Sequence, residues 1–207
     1  MNSENRFTEI NFLHEAGLQF DAIVGRVANE LQPPLKTKPN HAYVCIDLIT
    51  LEEASKWSGA LKEGDYPCYP LRMNFASKDL FRLVDGVFTN IIFDKSVVNR
   101  MLREDVWASI FEWYRLLEFG GRLWIRNAVN MLDLDEYRKA LYAQGKFFKD
   151  DEYFELSRQI FKDKLAEIGL AAGFTRFYEG ISSDGKYPIE HHSDRNYGDF
   201  PYYVLEK

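Results

Sequence analysis

The chain of 207 residues is poor in cysteine, with only Cys45 and Cys68. Two cysteines cannot build a disulfide framework, and neither belongs to a CxxC metal knuckle. Cations are outnumbered: 26 Lys and Arg stand against 32 Asp and Glu, a formal charge of −6. Phosphate affinity comes from clustered cations, so this balance argues against a protein built to coat nucleic acid, while leaving room for a local basic groove. No apolar run approaches the ~18 residues of a membrane-spanning helix. The opening MNSENRFTEI lacks the basic-then-apolar layout of a secretion signal. There is no internal repeat, no low-complexity tract, and no GxSxG, P-loop, HExxH or EF-hand loop, so hydrolase, kinase and metalloprotease readings have no residues to stand on. What these absences leave is a soluble, reduced, cytoplasmic chain expected to form one domain over residues 1–207.

What is abundant is aromatic: 15% of the chain, as 16 Phe, 12 Tyr and 4 Trp. Their placement depends on the elements the pattern predicts. Ala42–Asp47 reads as a strand closing on an acid, with further strands at Tyr69–Phe75, Val84–Ile92, Arg122–Arg126, Phe174–Tyr178 and Tyr202–Glu206. Near the start, Glu9–Leu13 reads as a short strand and Leu18–Leu31 as a helix, with Ile23, Val27 and Leu31 on one stripe. The strongest helix spans Arg103–Leu117, its stripe of Val106, Ile110, Trp113 and Leu117 flanked by Trp107, Phe111 and Tyr114. Gly120-Gly121 would stop it. Helices are also expected at Leu51–Trp57, Leu134–Gln144 and Tyr153–Leu170. Alternating strands and helices predict an α/β fold, a doubly wound, Rossmann-like, mostly parallel sheet. The last two strands have only a loop between them and should form an antiparallel pair.

Val84-Asp85-Gly86-Val87-Phe88-Thr89-Asn90, followed by Phe111-Glu112-Trp113-Tyr114-Arg115-Leu116-Leu117-Glu118-Phe119-Gly120-Gly121-Arg122-Leu123-Trp124-Ile125, resembles the second half of class I S-adenosylmethionine-dependent methyltransferases. That family has an acid-bearing strand, a helix ending E-W-Y-R-V-L-K-P-G-G and a strand R-L-x-I. Within that family, the chain resembles small methyltransferases associated with surface-polysaccharide biosynthesis. Ile46-Asp47-Leu48 matches the family's I-D-L, and Leu165–Phe174 its L-x-x-L-L-x-x-A-G-F. The resemblance covers roughly residues 9 to 207.

The resemblance implies that S-adenosyl-L-methionine lies across the carboxyl ends of the first strands. An acid ending strand two, here Asp47, would accept hydrogen bonds from both ribose hydroxyls; a strand-end acid that caps the next turn is the alternative. Asn74 and Phe75 would meet the adenine, and Asn90 would lie in the loop after strand four. The family's L-N-L-G-C-G is set against Ile10-Asn11-Phe12-Leu13-His14-Glu15. Asn11, Glu15 and the nearby Gly17 then become cofactor candidates, and both glycines are missing. Such a loop points to a methyltransferase with an altered cofactor site acting on a small molecule or saccharide intermediate. The alternative is an inactive methyltransferase-like domain kept as a binding or scaffolding module, and behind it a pocket reused for another ligand. His14, His191 and His192 are the candidate bases, with a plain solvated loop as the alternative for each; no metal site is expected. Phe12, Phe75, Phe88 and Phe93 are expected at the cofactor end, and Tyr187, Tyr197, Tyr202 and Tyr203 on a substrate or partner surface.

Overall fold

The computed structural model describes residues 3–24, 41–47, 68–72, 78–93, 103–126, 139, 142–145, 150–181 and 201–207. In chain order they form helix α1 (Ser3–Glu15), strands β1 (Gln19–Val24), β2 (His41–Asp47) and β3 (Cys68–Arg72), a 3-10 turn (Lys78–Arg82), β4 (Phe88–Phe93), α2 (Arg103–Leu116), β5 (Leu117–Arg126), α3 (Asp150–Ala172), β6 (Arg176–Ile181) and β7 (Pro201–Glu206). All the strands join one sheet in the order β3-β2-β1-β4-β5-β7-β6. β1 to β5 are mutually parallel, and β7 runs antiparallel between β5 and β6. The expected mostly parallel α/β sheet with a C-terminal antiparallel pair is therefore what forms. Among the described residues no helix is long and apolar enough to cross a membrane.

Side-chain alternation divides the sheet into two buried faces. Phe20, Ala22 and Val24 of β1 and Ala42, Val44 and Ile46 of β2 join one cluster with Phe7 and Ile10 of α1, Trp113 and Leu116 of α2, and Phe161 and Leu165 of α3. Spacings of two on the strands and three or four on the helices supply these apolar rows. An aromatic row, Trp107–Phe161–Tyr203–Phe177, crosses the same side at centroid separations of 5.3, 5.9 and 6.0 Å. On the opposite face Ile92, Trp124 and Val204 are also buried, so both sides of the central strands are covered.

Two expected elements are corrected. Residues 9–13 are helical, part of α1, because Phe7 and Ile10 bury one helical stripe while Phe12 stays 66% exposed. The stretch expected as helix from Leu18 begins instead with β1, whose Phe20, Ala22 and Val24 alternate into the core. Further along, β4 starts at Phe88; Val84–Val87 precede it in a turn, where Gly86 takes a positive φ of 68°. Residues 51–57 lie outside the described residues, as does most of 134–144.

A bulge shapes the centre of the sheet. Phe20 pairs with Phe88 but Asp21 pairs with Asn90, so Thr89 is one residue extra. On the other side Phe88 pairs with Leu117 and Asn90 with Arg122. The extra residue turns Asn90 away from the main core face, to which Phe88, Ile91 and Phe93 belong. Gly120-Gly121 does not simply stop α2, which passes directly into β5. Gly120 takes φ 77° with open space about it, whereas a Cβ on Gly121 would lie 3.0 Å from the Thr89 carbonyl oxygen.

Basic side chains then tie the amino ends of these strands together. Arg115 donates to the Leu83 carbonyl at 2.9 Å and the Leu80 carbonyl at 2.8 Å, and pairs with Asp85 and Glu112. Lys207 Nζ donates to the Tyr114 and Leu117 carbonyls at 2.9 and 2.7 Å, placing a cation at the carbonyl end of α2. Its partial burial holds its pKa below the ordinary lysine value.

Candidate cofactor site

The strand order reverses between β1 and β4, and in open α/β sheets such a switch point opens a crevice beyond the carboxyl ends. Those ends are Val24, Asp47, Arg72, Phe93 and Arg126. Val24 pairs with Ile46 and with Phe93, so Asp47 stands one residue beyond that level, beside the point where the chain leaves β1. An acid at this place has the donor–acceptor chemistry for a vicinal diol: two oxygens that only accept. Gly25 is the residue that follows β1 in sequence.

Of the other proposed cofactor contacts, Asn11, Glu15 and Gly17 are not brought to this end. Asn11, His14 and Glu15 belong to α1, and Gly17 lies in the turn before β1 with φ 86°. Their assignment rested on a strand at 10–13, and with the strand at 19–24 they precede β1 and stand at its amino end. Asn11 has a structural occupation: its side chain donates to the Arg82 carbonyl and accepts from the Val84 amide, each at 3.4 Å. His14 lies in the last turn of α1, and its buried Nδ1 has no hydrogen-bond partner among the described residues. Asn90 lies inside β4, not in the loop after it. Asn74, Phe75, His191 and His192 lie outside the described residues.

The aromatic assignments divide in the same way. Phe88 and Phe93 are fully buried, and Phe93 meets the edge of Trp113 at 5.5 Å and 82°; they fill the core and do not face the crevice. Trp107, Trp113 and Trp124 are buried as expected, but Phe111 is 48% exposed. Tyr203 is core too, not a surface residue.

The sequence reading missed a polar group in the interior. Asp21 of β1 is 4% exposed. The Asn90 amide donates to its Oδ1 at 2.9 Å, and Trp124 Nε1 donates to Asn90 Oδ1 at 3.0 Å. The run Phe20-Asp21-Ala22-Ile23-Val24-Gly25, alternating and closing on glycine, was the signal for both the strand and its buried acid. Among the described residues, no group of three or more His, Cys, Asp or Glu could hold a metal ion.

No protein-family model and no curated protein sequence matches the chain. Solved structures do. A spermidine synthase from Thermotoga maritima superposes with a TM-score of 0.55 at 12% identity, over 96% of this chain and 57% of that one. This chain thus spans little more than half of that enzyme's length. An S-adenosylmethionine-dependent methyltransferase from Archaeoglobus fulgidus gives 0.54 at 13% identity, over 98% of this chain and 94% of that one. One from Methanosarcina mazei gives 0.50 at 14%, over 91% and 92%. At these identities the likeness is one of fold: the chain has the fold that these S-adenosylmethionine-dependent methyltransferases share.

Proposed function

We propose that the chain is an S-adenosylmethionine-dependent methyltransferase with an altered cofactor loop, residues 1–207 forming one domain that acts on a small molecule or a sugar intermediate. The observation that carries this reading is Asp47, set at the end of β2 beside the switch point of a methyltransferase-like sheet. An acid in that place would accept from the two ribose hydroxyls. With β1 at 19–24, the pattern L-N-L-G-C-G falls on Ala22-Ile23-Val24-Gly25-Arg26-Val27. The first glycine is then present in the sequence as Gly25, and the second is replaced by Val27, a branched residue where the family pattern has no side chain. Asn74 and Phe75 remain the candidates for the adenine.

The cofactor supplies an electrophilic methyl on a sulfonium. The chain has to hold an acceptor oxygen or nitrogen in line with it, and such placement alone supplies much of the acceleration. His191 or His192 would take the acceptor's proton where the acceptor is a poor nucleophile. The alternative, a domain that binds without transferring, is favoured by Val27.

Calorimetric titration of the full chain with S-adenosylmethionine and with S-adenosylhomocysteine tests the reading. Binding that Asp47→Ala weakens by about tenfold or more, the equivalent of roughly 1.4 kcal/mol, supports it. Val27→Gly should tighten binding. Absence of binding to the wild-type chain at millimolar ligand overturns the cofactor reading, and binding without turnover of any acceptor favours the non-catalytic module.

A further inference from the structure

We propose that Asn90 is a positioning residue for the crevice: it locks β1, β4 and β5 in the register that brings their carboxyl ends level. The ligand in this inference is the one proposed above; the geometry stands without it.

Asn90 lies between a group that can only accept and a group that can only donate. The Asp21 carboxylate takes the amide hydrogen at 2.9 Å, and the Trp124 indole gives its hydrogen to the amide oxygen at 3.0 Å. An amide meets both demands from one side chain; a carboxylate or an ammonium meets only one. The orientation of the amide is thereby set by its partners.

This three-strand bridge sits where the register resets. Below it, Phe20, Phe88 and Leu117 form one row; the Thr89 bulge and residues 118–121 follow. From the bridge upward the rows run without interruption: Asp21/Asn90/Arg122, Ala22/Ile91/Leu123, Ile23/Ile92/Trp124 and Val24/Phe93/Ile125. A slip of one residue would carry Asn90 onto the face of Phe88, Ile91 and Phe93 and withdraw the amide donor from the buried Asp21, so the polar bridge opposes the slip strongly. The bridge is three residues below the strand ends, roughly 10 Å at the rise of a strand. Asn90 therefore touches nothing held in the crevice, and its influence passes through the strands to Val24 and Phe93 and to the chain that follows each.

The test compares wild type with Asn90→Leu, Trp124→Phe and the exchange Asp21→Asn/Asn90→Asp. The exchange keeps one carboxylate, lets residue 21 donate its amide hydrogen to residue 90, and still offers Trp124 an acceptor. Amide hydrogen exchange is read at residues 22–24 and 91–93, with β2 residues 42–44 as reference. S-adenosylmethionine affinity is read under conditions where each variant is fully folded. Asn90→Leu and Trp124→Phe should speed exchange in the upper rows by about tenfold or more, as loss of these half-buried hydrogen bonds implies, and weaken binding while β2 keeps its protection. The double exchange should restore both. Where Asn90→Leu does not fold, Trp124→Phe and the double exchange carry the comparison. Unchanged exchange in the single variants, or failure of the double exchange to recover protection, overturns the proposal. A wild-type chain that binds no cofactor overturns the functional reading alone, because hydrogen exchange still decides whether Asn90 locks the register. Lost protection with affinity unchanged reduces Asn90 to a structural residue and overturns the positioning role.

Discussion

Adjacent glycines in β5 should fail for different reasons when substituted. At Gly121, an added Cβ would lie 2.9 Å from the Glu118 carbonyl oxygen, 3.0 Å from that of Thr89 and 3.2 Å from a Leu117 methyl. Two of these three are backbone atoms, and the Thr89 carbonyl belongs to the bulge that turns Asn90. They cannot swing aside as a side-chain tip can, so Gly121→Ala should cost about 1–3 kcal/mol as overpacking does. At Gly120 a Cβ meets nothing within 4 Å, but φ is +77°. Gly120→Ala should cost roughly 1–2 kcal/mol through the left-handed backbone alone. Asparagine separates the two causes, since it tolerates that conformation better than alanine but is larger. Gly120→Asn should recover part of the loss seen with Gly120→Ala, and Gly121→Asn should be worse than Gly121→Ala. Urea unfolding followed by tryptophan fluorescence reads the difference. With a slope of about 2 kcal/mol/M, a loss of 2 kcal/mol moves the midpoint by about 1 M. A neutral Gly121→Ala, or asparagine ranking below alanine at position 120, would refute this account of the bulge.

Arg115→Lys should lower stability by roughly 1–2 kcal/mol. One ammonium cannot reproduce two carbonyl contacts on the 80–83 segment together with Asp85 and Glu112, although the exposed ion pairs themselves add little; chemical denaturation checks it. Lys207 gives a pH signature. Burial depresses its folded-state pKa, so the unfolded chain binds the proton more tightly. The group's contribution to stability should rise as pH climbs through the folded pKa toward the ordinary lysine value, and Lys207→Met should abolish that rise in paired melting curves.

The elements legible in the sequence were those with one dominant period. α2 was expected from Arg103 and starts there, because its apolar stripe extends over about three turns and no strand pattern competes with it. β2 was equally plain, a β-branched run closing on Asp47. The start of the chain was not, since two periods coexist there. Ile23, Val27 and Leu31 recur at helical spacing, while Phe20, Ala22 and Val24 alternate as a strand does. In the folded chain, β1 pairs with β2 on one side and β4 on the other, and the gain from two ladders lies between segments far apart in sequence, where no local pattern records it.

That single ambiguity propagated into the candidate site. With the strand placed at 10–13, the residues after it had to be Leu13, His14 and Glu15, and the cofactor loop looked stripped of both glycines. With β1 at 19–24, the residue that follows the strand in sequence is Gly25, and on the proposed alignment only the second glycine is missing, replaced by Val27. Asp47 did not move, because it hangs on β2 alone. Asn90 changed meaning through the bulge at Thr89: one extra residue reverses the face on which every later residue of β4 stands. A polar residue in an apolar strand then becomes a half-buried bridge to Asp21 and not a loop contact. Register in these strands is thus tied to a polar contact, the hydrogen bond from the half-buried Asn90 to the buried Asp21.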